Sequence, residues 1–139
     1  MEWLLWALLS ALFAGATAVL AKAGVAEINS NLATAIRTTV ILLFTWLLAL
    51  LTTGRGELAT ISRKAWLFLV LSGLATGLSW LCYFRALQLG EVSRVAPIDK
   101  LSVVVAIAFS FLFFGERLSP REGIGVALIV VGGLFLALK

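Results

Sequence analysis

The sequence predicts an all-α membrane protein with five transmembrane helices. Of its 139 residues, 62% are hydrophobic, and the few charged residues stand in short clusters between long apolar runs. No stretch shows the alternation of a membrane β-barrel, so helices are expected to satisfy the backbone in lipid. A chain of this length has room for about five spans of roughly 20 residues with short loops.

Apolar runs and turn signals set the bounds of the predicted helices. They cover residues 3–22, 32–51, 66–89, 95–114 and 120–138, and we name them span 1 to span 5 in chain order. Residues 1–139 are expected to form one integral domain. Span 1 is expected to be retained, because it lacks the basic start of a signal peptide and its apolar run is longer than usual for one.

Polar residues before three spans indicate where the helices begin. The sequence INSN before span 2 and Ser62 before span 3 offer N-cap side chains. Before span 5, Ser119 is followed by Pro120 at the first helical position and by Glu122 three residues after the cap. This is the pattern of a capping box, so the start of span 5 is the best determined of the five.

Span 4 carries two charges, Asp99 and Lys100, near its start. The uncharged run from Leu101 to Phe114 gives only about 21 Å of helix, whereas the hydrocarbon core is about 30 Å thick. A spanning helix must therefore draw both charges inward, with Pro97 tolerated in its first turn. In one interpretation Asp99 complements the helix dipole and Lys100 reaches the headgroups. In the other, the pair lines a polar cavity between helices.

Charges on three spans are expected at a similar depth. Because successive spans alternate in direction, the start of span 2, the end of span 3 and the start of span 4 lie on one side of the membrane. Arg37 and Arg85 could each reach the headgroups alone, and Trp80 and Tyr83 also fit an interfacial aromatic belt. The occurrence of these charged and aromatic residues at one depth favours a substrate-binding layer. Its predicted members are Arg37, Ser79, Trp80, Tyr83, Arg85, Asp99 and Lys100.

Glycines at helical spacing mark two spans. Gly73 and Gly77 form a GxxxG pattern in span 3. Span 5 holds four more, at Gly123, Gly125, Gly132 and Gly133. Small residues let helix backbones approach closely. Internal packing, a dimer seam and a surface that slides during transport are all compatible with the pattern.

The loop charges set no clear orientation in the membrane. The side of the N-terminus holds Arg55, Arg63, Lys64, Arg117 and Arg121. The opposite side holds Lys22, Arg37, Arg85, Arg94, Lys100 and Lys139. The positive-inside rule therefore gives almost no bias, and dual topology is expected. Two oppositely oriented copies would build an inverted-repeat transporter with its site between them.

Three stretches carry a family pattern: NLATAIRTTVILLF, GLATGLSWLCYFRALQLGEVSRVAPIDKLSVV and FFGERLSPREGIGVALIVVGGLFL. Together they resemble one EamA domain of the drug/metabolite transporter superfamily, and the last stretch is the most specific. Most members of that family carry two such domains in inverted orientation. The resemblance therefore implies that this chain forms half of a ten-helix inverted-repeat transporter, completed as an antiparallel homodimer.

The predicted function is secondary transport of a small polar metabolite, an amino acid or another carboxylate-bearing solute, by alternating access. A carboxylate is favoured because basic residues outnumber Asp99 in the charged layer. The alternatives are an exporter of lipophilic or organic cations and a non-transporting membrane subunit of a larger assembly.

Other function classes are not expected. The chain contains no histidine and one cysteine, so histidine-dependent catalysis and thiolate metal cages have no basis. We therefore expect no enzyme, no cofactor and no metal ion. A nucleic-acid partner is not expected either, because the net charge of +4 is modest and the basic residues form no tail or stripe. The expected partners are a small-molecule solute, the lipid bilayer and a second copy of the chain. The expected location is the cell membrane, as a multi-pass protein of a bacterial or archaeal inner membrane.

Overall fold

The computed structural model describes residues 2–54 and 56–138. Arg55 and Lys139, which enter the loop-charge count, lie outside the described residues. The described residues form helices and no strands. The helices are α1 (Glu2–Val25), α2 (Ser30–Thr52), α3 (Glu57–Thr60), α4 (Arg63–Leu89), α5 (Val92–Asp99), α6 (Ser102–Phe114) and α7 (Pro120–Ala137). The five predicted spans are confirmed as α1, α2, α4, α5 with α6, and α7, each long and apolar enough to cross a membrane.

The chain divides into two compact units. The central unit comprises Ala21–Gln88, and therefore the last turn of α1 together with α2, α3 and nearly all of α4. The terminal unit comprises the chain up to Leu20 and the chain from Leu89 onward, which includes α5, α6 and α7.

The predicted caps are confirmed at three helix starts. Asn29 accepts a hydrogen bond from the Asn31 N–H at 2.8 Å and caps α2. Ser62 Oγ accepts from the Ala65 N–H at 3.1 Å, so α4 begins earlier than the apolar run alone indicates. At α7, the Ser119 N–H donates to the Glu122 carboxylate at 2.7 Å and the Glu122 N–H donates to Ser119 Oγ at 3.3 Å. The capping box of span 5 is therefore present.

Span 4 differs from the prediction of one continuous helix. It consists of α5 and α6, with two residues between them. Pro97 lies inside α5 and has no N–H to donate to the preceding turn. Just beyond it, the Leu101 N–H donates to the Ile98 carbonyl at 3.0 Å, which is the tighter i to i+3 bond of a 3₁₀ turn. The interruption therefore follows Asp99 directly.

Helix packing in the terminal unit depends on one glycine. Gly133 of α7 is buried, and a Cβ built on it would lie 3.3 Å from the Pro97 carbonyl oxygen and 3.4 Å from Leu101 Cδ2. The neighbouring Gly132 has nothing within 4 Å of the same position among the described residues. The close approach of α7 to α5 therefore depends on the absence of a side chain at Gly133.

The central unit has its buried residues at one end of its helices. They are Ala21 and Val25 of α1, Ser30, Ala33 and Thr34 of α2, and Phe84 and Leu87 of α4. The short connection between α1 and α2 makes these helices antiparallel neighbours, so the end of α1 and the start of α2 lie together. Arg37 and Arg85, both in the predicted site, belong to the helix segments that meet at this core.

Candidate functional site

Arg37 of α2 lies against aromatic side chains of α4. Its guanidinium carbon is 4.4 Å from the centre of the Trp80 ring and 5.4 Å from the centre of the Phe84 ring. Both distances are within the range of a cation–π interaction. Trp80 and Phe84 are four residues apart and so occupy the same face of α4. The Tyr83 ring lies edge-on to the Phe84 ring, with the two centroids 6.5 Å apart.

The charge of Arg37 is not balanced by a carboxylate within the described central unit. The residue is half-buried and lies about 10 Å along α2 from Ser30. Aromatic stacking contributes about 0.5–2 kcal/mol, whereas an arginine at the centre of a membrane helix costs about 2.5 kcal/mol or more. Stacking therefore offsets part of the cost, and the guanidinium fork keeps donors for an anionic group.

Arg85 takes part in a chain of hydrogen bonds at the end of α4. Its Nη1 donates to Gln88 Oε1 at 2.7 Å, and Gln88 Nε2 donates to the Ile28 carbonyl oxygen at 3.0 Å. The Leu87 carbonyl oxygen, next to Gln88 in the sequence, accepts a hydrogen bond from Lys22 Nζ at 2.6 Å. The Leu87 carbonyl is one of those that the end of α4 leaves without a helical partner, whereas Ile28 lies in the connection between α1 and α2. These hydrogen bonds also tie the connection between α1 and α2 to the end of α4.

The predicted site residues of the central unit thus have different surroundings. Arg37 lies on Trp80 and on Phe84, which is not in the predicted set, and Tyr83 contacts the same Phe84 ring. Arg85 is exposed and bonded to Gln88. Ser79 is exposed on α4, one residue before Trp80. Sequence reasoning missed Phe84 and Gln88, because a phenylalanine in an apolar span and an amide near a helix end give no specific signal.

Asp99 and Lys100 form an ion pair in the terminal unit. Lys100 Nζ lies 3.3 Å from Asp99 Oδ2, with side-chain exposures of 62% for Lys100 and 35% for Asp99. The pair is at the end of α5, where the helix is interrupted. Consecutive residues of a regular helix do not face each other, so the interruption favours this contact.

We predict that neutralising one member of this pair is worse than replacing both. Asp99→Asn or Lys100→Gln leaves a single charge in a low-dielectric region, whereas the double variant leaves none. The expected result is a several-fold loss of solute flux or of detergent-stable yield in each single variant, with yield restored in the double variant. The measurements are solute flux and detergent-stable yield for all three variants. Mild effects in all three would contradict a buried pair and indicate that Lys100 reaches the headgroups.

A cavity of about 610 Å³ lies elsewhere in the central unit, where α2 ends and α3 begins. Trp46, Ala49, Leu50 and Leu58 contribute apolar walls, and Thr45 and Thr53 contribute hydroxyl groups. None of the predicted site residues lines it. Because its described walls carry no charged group, it lacks the counter-charge that an ionic solute needs.

Comparisons with known proteins give matches over nearly the whole chain. The profile of the EamA-like transporter family matches residues 1–138. A protein of Sinorhizobium sp, named "Uncharacterized transporter in cobO 3'region", is 54% identical over 98% of this chain and 96% of its own length. A Bacillus subtilis protein, named "Uncharacterized transporter YxxF", is 28% identical over 93% of this chain but only 40% of its own length.

A second kind of relative matches about half of the chain. A protein of Pseudomonas fluorescens is 35% identical over 54% of this chain and 64% of its own length. Its name is "Probable 4-amino-4-deoxy-L-arabinose-phosphoundecaprenol flippase subunit ArnE". No solved structure gives a significant match.

Proposed function

The chain belongs to the EamA-like transporter family, and we propose that it is a secondary transporter of small carboxylate-bearing solutes, amino acids among them. The observation that supports a carboxylate as the solute is Arg37, a half-buried guanidinium inside a membrane span. It stacks on Trp80 and has no carboxylate partner within the described central unit. A carboxylate is the group that such a guanidinium binds through two parallel hydrogen bonds.

In this proposal the solute is held by two kinds of contact. Its carboxylate accepts hydrogen bonds from Arg37, and its remaining apolar or ammonium-bearing part lies against the rings of Trp80 and Tyr83. Arg85 lies nearer the end of its helix and attracts the anion toward the site. A bound carboxylate also neutralises the guanidinium. The loaded protein therefore changes between its inward- and outward-facing forms at a lower electrostatic cost than the empty protein.

We further propose that two copies assemble in antiparallel orientation. The near balance of basic residues between the two sides supports insertion both ways. The match to only 40% of the YxxF protein also fits a chain that corresponds to one half of a longer transporter. Gly73 and Gly77 of α4 have nothing within 4 Å of an added Cβ among the described residues, so this GxxxG pattern is available for a partner helix.

Dual topology is directly testable with reporter fusions at the C-terminus. Both orientations are expected in comparable amounts, because neither side has a dominant excess of lysine and arginine. Three lysines added to one set of loops are expected to fix a single orientation. A wild-type chain found in one orientation only would contradict the antiparallel assembly.

A second candidate function is that of a subunit in a flippase-type assembly. The observation that favours it is the similarity to the ArnE proteins, which are named as probable flippase subunits for an aminoarabinose-phosphate lipid. A phosphate group would pair with the Arg37 guanidinium as a carboxylate does. The two candidates differ in whether this chain acts alone.

Reconstitution of the purified chain into liposomes separates these candidates. A panel of labelled amino acids and organic acids is offered to liposomes that contain this chain alone, with protein-free liposomes as the control. Uptake of at least one carboxylate above the control supports the proposed transporter. Activity that requires co-purified membrane proteins would instead support the subunit.

A further inference from the structure

A groove of about 540 Å³ runs between α6 and α7 in the terminal unit. Its walls include Val104, Ile107, Ala108 and Phe111 of α6 and Val126 of α7. Among its described wall residues, only Arg117 is charged. From Val104 to Phe111 the groove follows about 10 Å of helix, or about two thirds of a leaflet roughly 15 Å deep. The groove is therefore apolar along its length and basic at one end.

The guanidinium of Arg117 has no acidic partner within the described terminal unit. The two nearest carboxylates along the chain are engaged elsewhere. Glu116 accepts a hydrogen bond from the Ser110 hydroxyl. Glu122 accepts from the Ser119 N–H at 2.7 Å and from the Ser119 hydroxyl at 2.8 Å. Neither carboxylate forms an ion pair with Arg117, so its guanidinium keeps donors for an anionic ligand at this end of the groove.

The position of Arg117 matches the depth of a lipid headgroup. It lies in the segment between Phe114, where α6 ends, and Pro120, where α7 begins. α6 is the second part of span 4 and α7 is span 5, so the segment between them is at the boundary between hydrocarbon and water. A ligand of this groove must therefore combine an apolar chain lying along the helices with an anionic group at the interface.

We propose that this groove binds an anionic phospholipid, with one acyl chain between α6 and α7 and the phosphate on Arg117. The guanidinium fork matches phosphate oxygens through paired hydrogen bonds. A lipid with a net negative headgroup is preferred over a zwitterionic lipid, because the latter carries its own compensating amine. This site is independent of Arg37 and of the transported solute.

The test is native mass spectrometry of the purified chain with two lipids of identical acyl chains, phosphatidylglycerol and phosphatidylethanolamine. The wild type is expected to retain phosphatidylglycerol in preference. Arg117→Gln is expected to lower phosphatidylglycerol binding about fivefold and to remove the preference, since one interfacial charge is lost. The matched control is Arg121→Gln, which removes a nearby basic side chain that does not line the groove and is expected to change little.

A groove-filling variant tests the position of the acyl chain. Ala108→Phe narrows the groove and is expected to weaken binding of both lipids, with Ala108→Leu as a smaller substitute if the phenylalanine variant is not monodisperse. Unchanged lipid binding by a monodisperse Ala108→Phe or Ala108→Leu protein would overturn the proposal. So would equal losses in Arg117→Gln and Arg121→Gln, or equal retention of the two lipids by the wild type.

Discussion

Replacing Arg37 with glutamine is expected to lower the uptake of carboxylate solutes about 100-fold while the protein still folds. A charge-assisted hydrogen bond is worth about 1.5 kcal/mol at the low end of its range, so the loss of two amounts to about 3 kcal/mol, or roughly a factor of 100. Glutamine removes a charge from a membrane helix, so insertion and folding are not expected to suffer. The measurement is the initial uptake rate in proteoliposomes, normalised to the amount of reconstituted protein.

Two further variants make this result specific. Arg37→Lys keeps the charge but loses the planar fork, so an intermediate rate is expected. Arg63→Gln removes an exposed arginine at the first position of α4 and is expected to leave uptake unchanged. Wild-type uptake in Arg37→Gln, or an equal loss in Arg63→Gln, would contradict a substrate-binding role for Arg37.

Replacing Gly133 with leucine is expected to lower the monodisperse yield and the apparent melting temperature well below those of the wild type. Even a Cβ at this position lies 3.3 Å from a backbone oxygen, that of Pro97, so a larger side chain must separate α7 from α5. Forcing extra atoms into a close contact typically costs about 1–3 kcal/mol, which is a large share of the stability of a small domain. Monodisperse yield and apparent melting temperature in detergent are the measurements.

The adjacent glycine provides the matched control for this prediction. Gly132→Leu adds the same side chain where nothing among the described residues lies within 4 Å, so a small effect is expected. Both variants also remove the same backbone flexibility, which leaves the contact with Pro97 as the difference between them. Similar losses in the two variants would show that α7 does not pack on α5 through Gly133.

Much of the helix pattern could be predicted because its causes are local. The five spans follow from the length and hydropathy of each apolar run. The caps at Asn29, Ser62 and Ser119 follow from side chains within three residues of the N–H groups that they bind. The interruption of span 4 was missed for a related reason. The helix begins at Val92 rather than residue 95, which places Pro97 in its interior instead of its first turn.

The details of the site depend on contacts between helices, which local sequence does not contain. The depth of Arg37 and Trp80 along their helices could be predicted, but the stacking between them requires the rotation of α2 relative to α4. The same holds for the adjacent Gly132 and Gly133 of α7. Nothing in the sequence distinguishes Gly132 from Gly133, because only packing decides which one faces α5.

The most direct test of carboxylate recognition is competition for uptake in proteoliposomes between solutes matched in size. An amino acid or organic acid that is transported is challenged with its own methyl ester and with a quaternary ammonium dye. Recognition by Arg37 predicts that free carboxylates compete, that the ester competes at least tenfold more weakly, and that the dye competes little. Robust transport of the dye, undiminished in Arg37→Ala and Arg85→Ala and unaffected by any carboxylate, would contradict it.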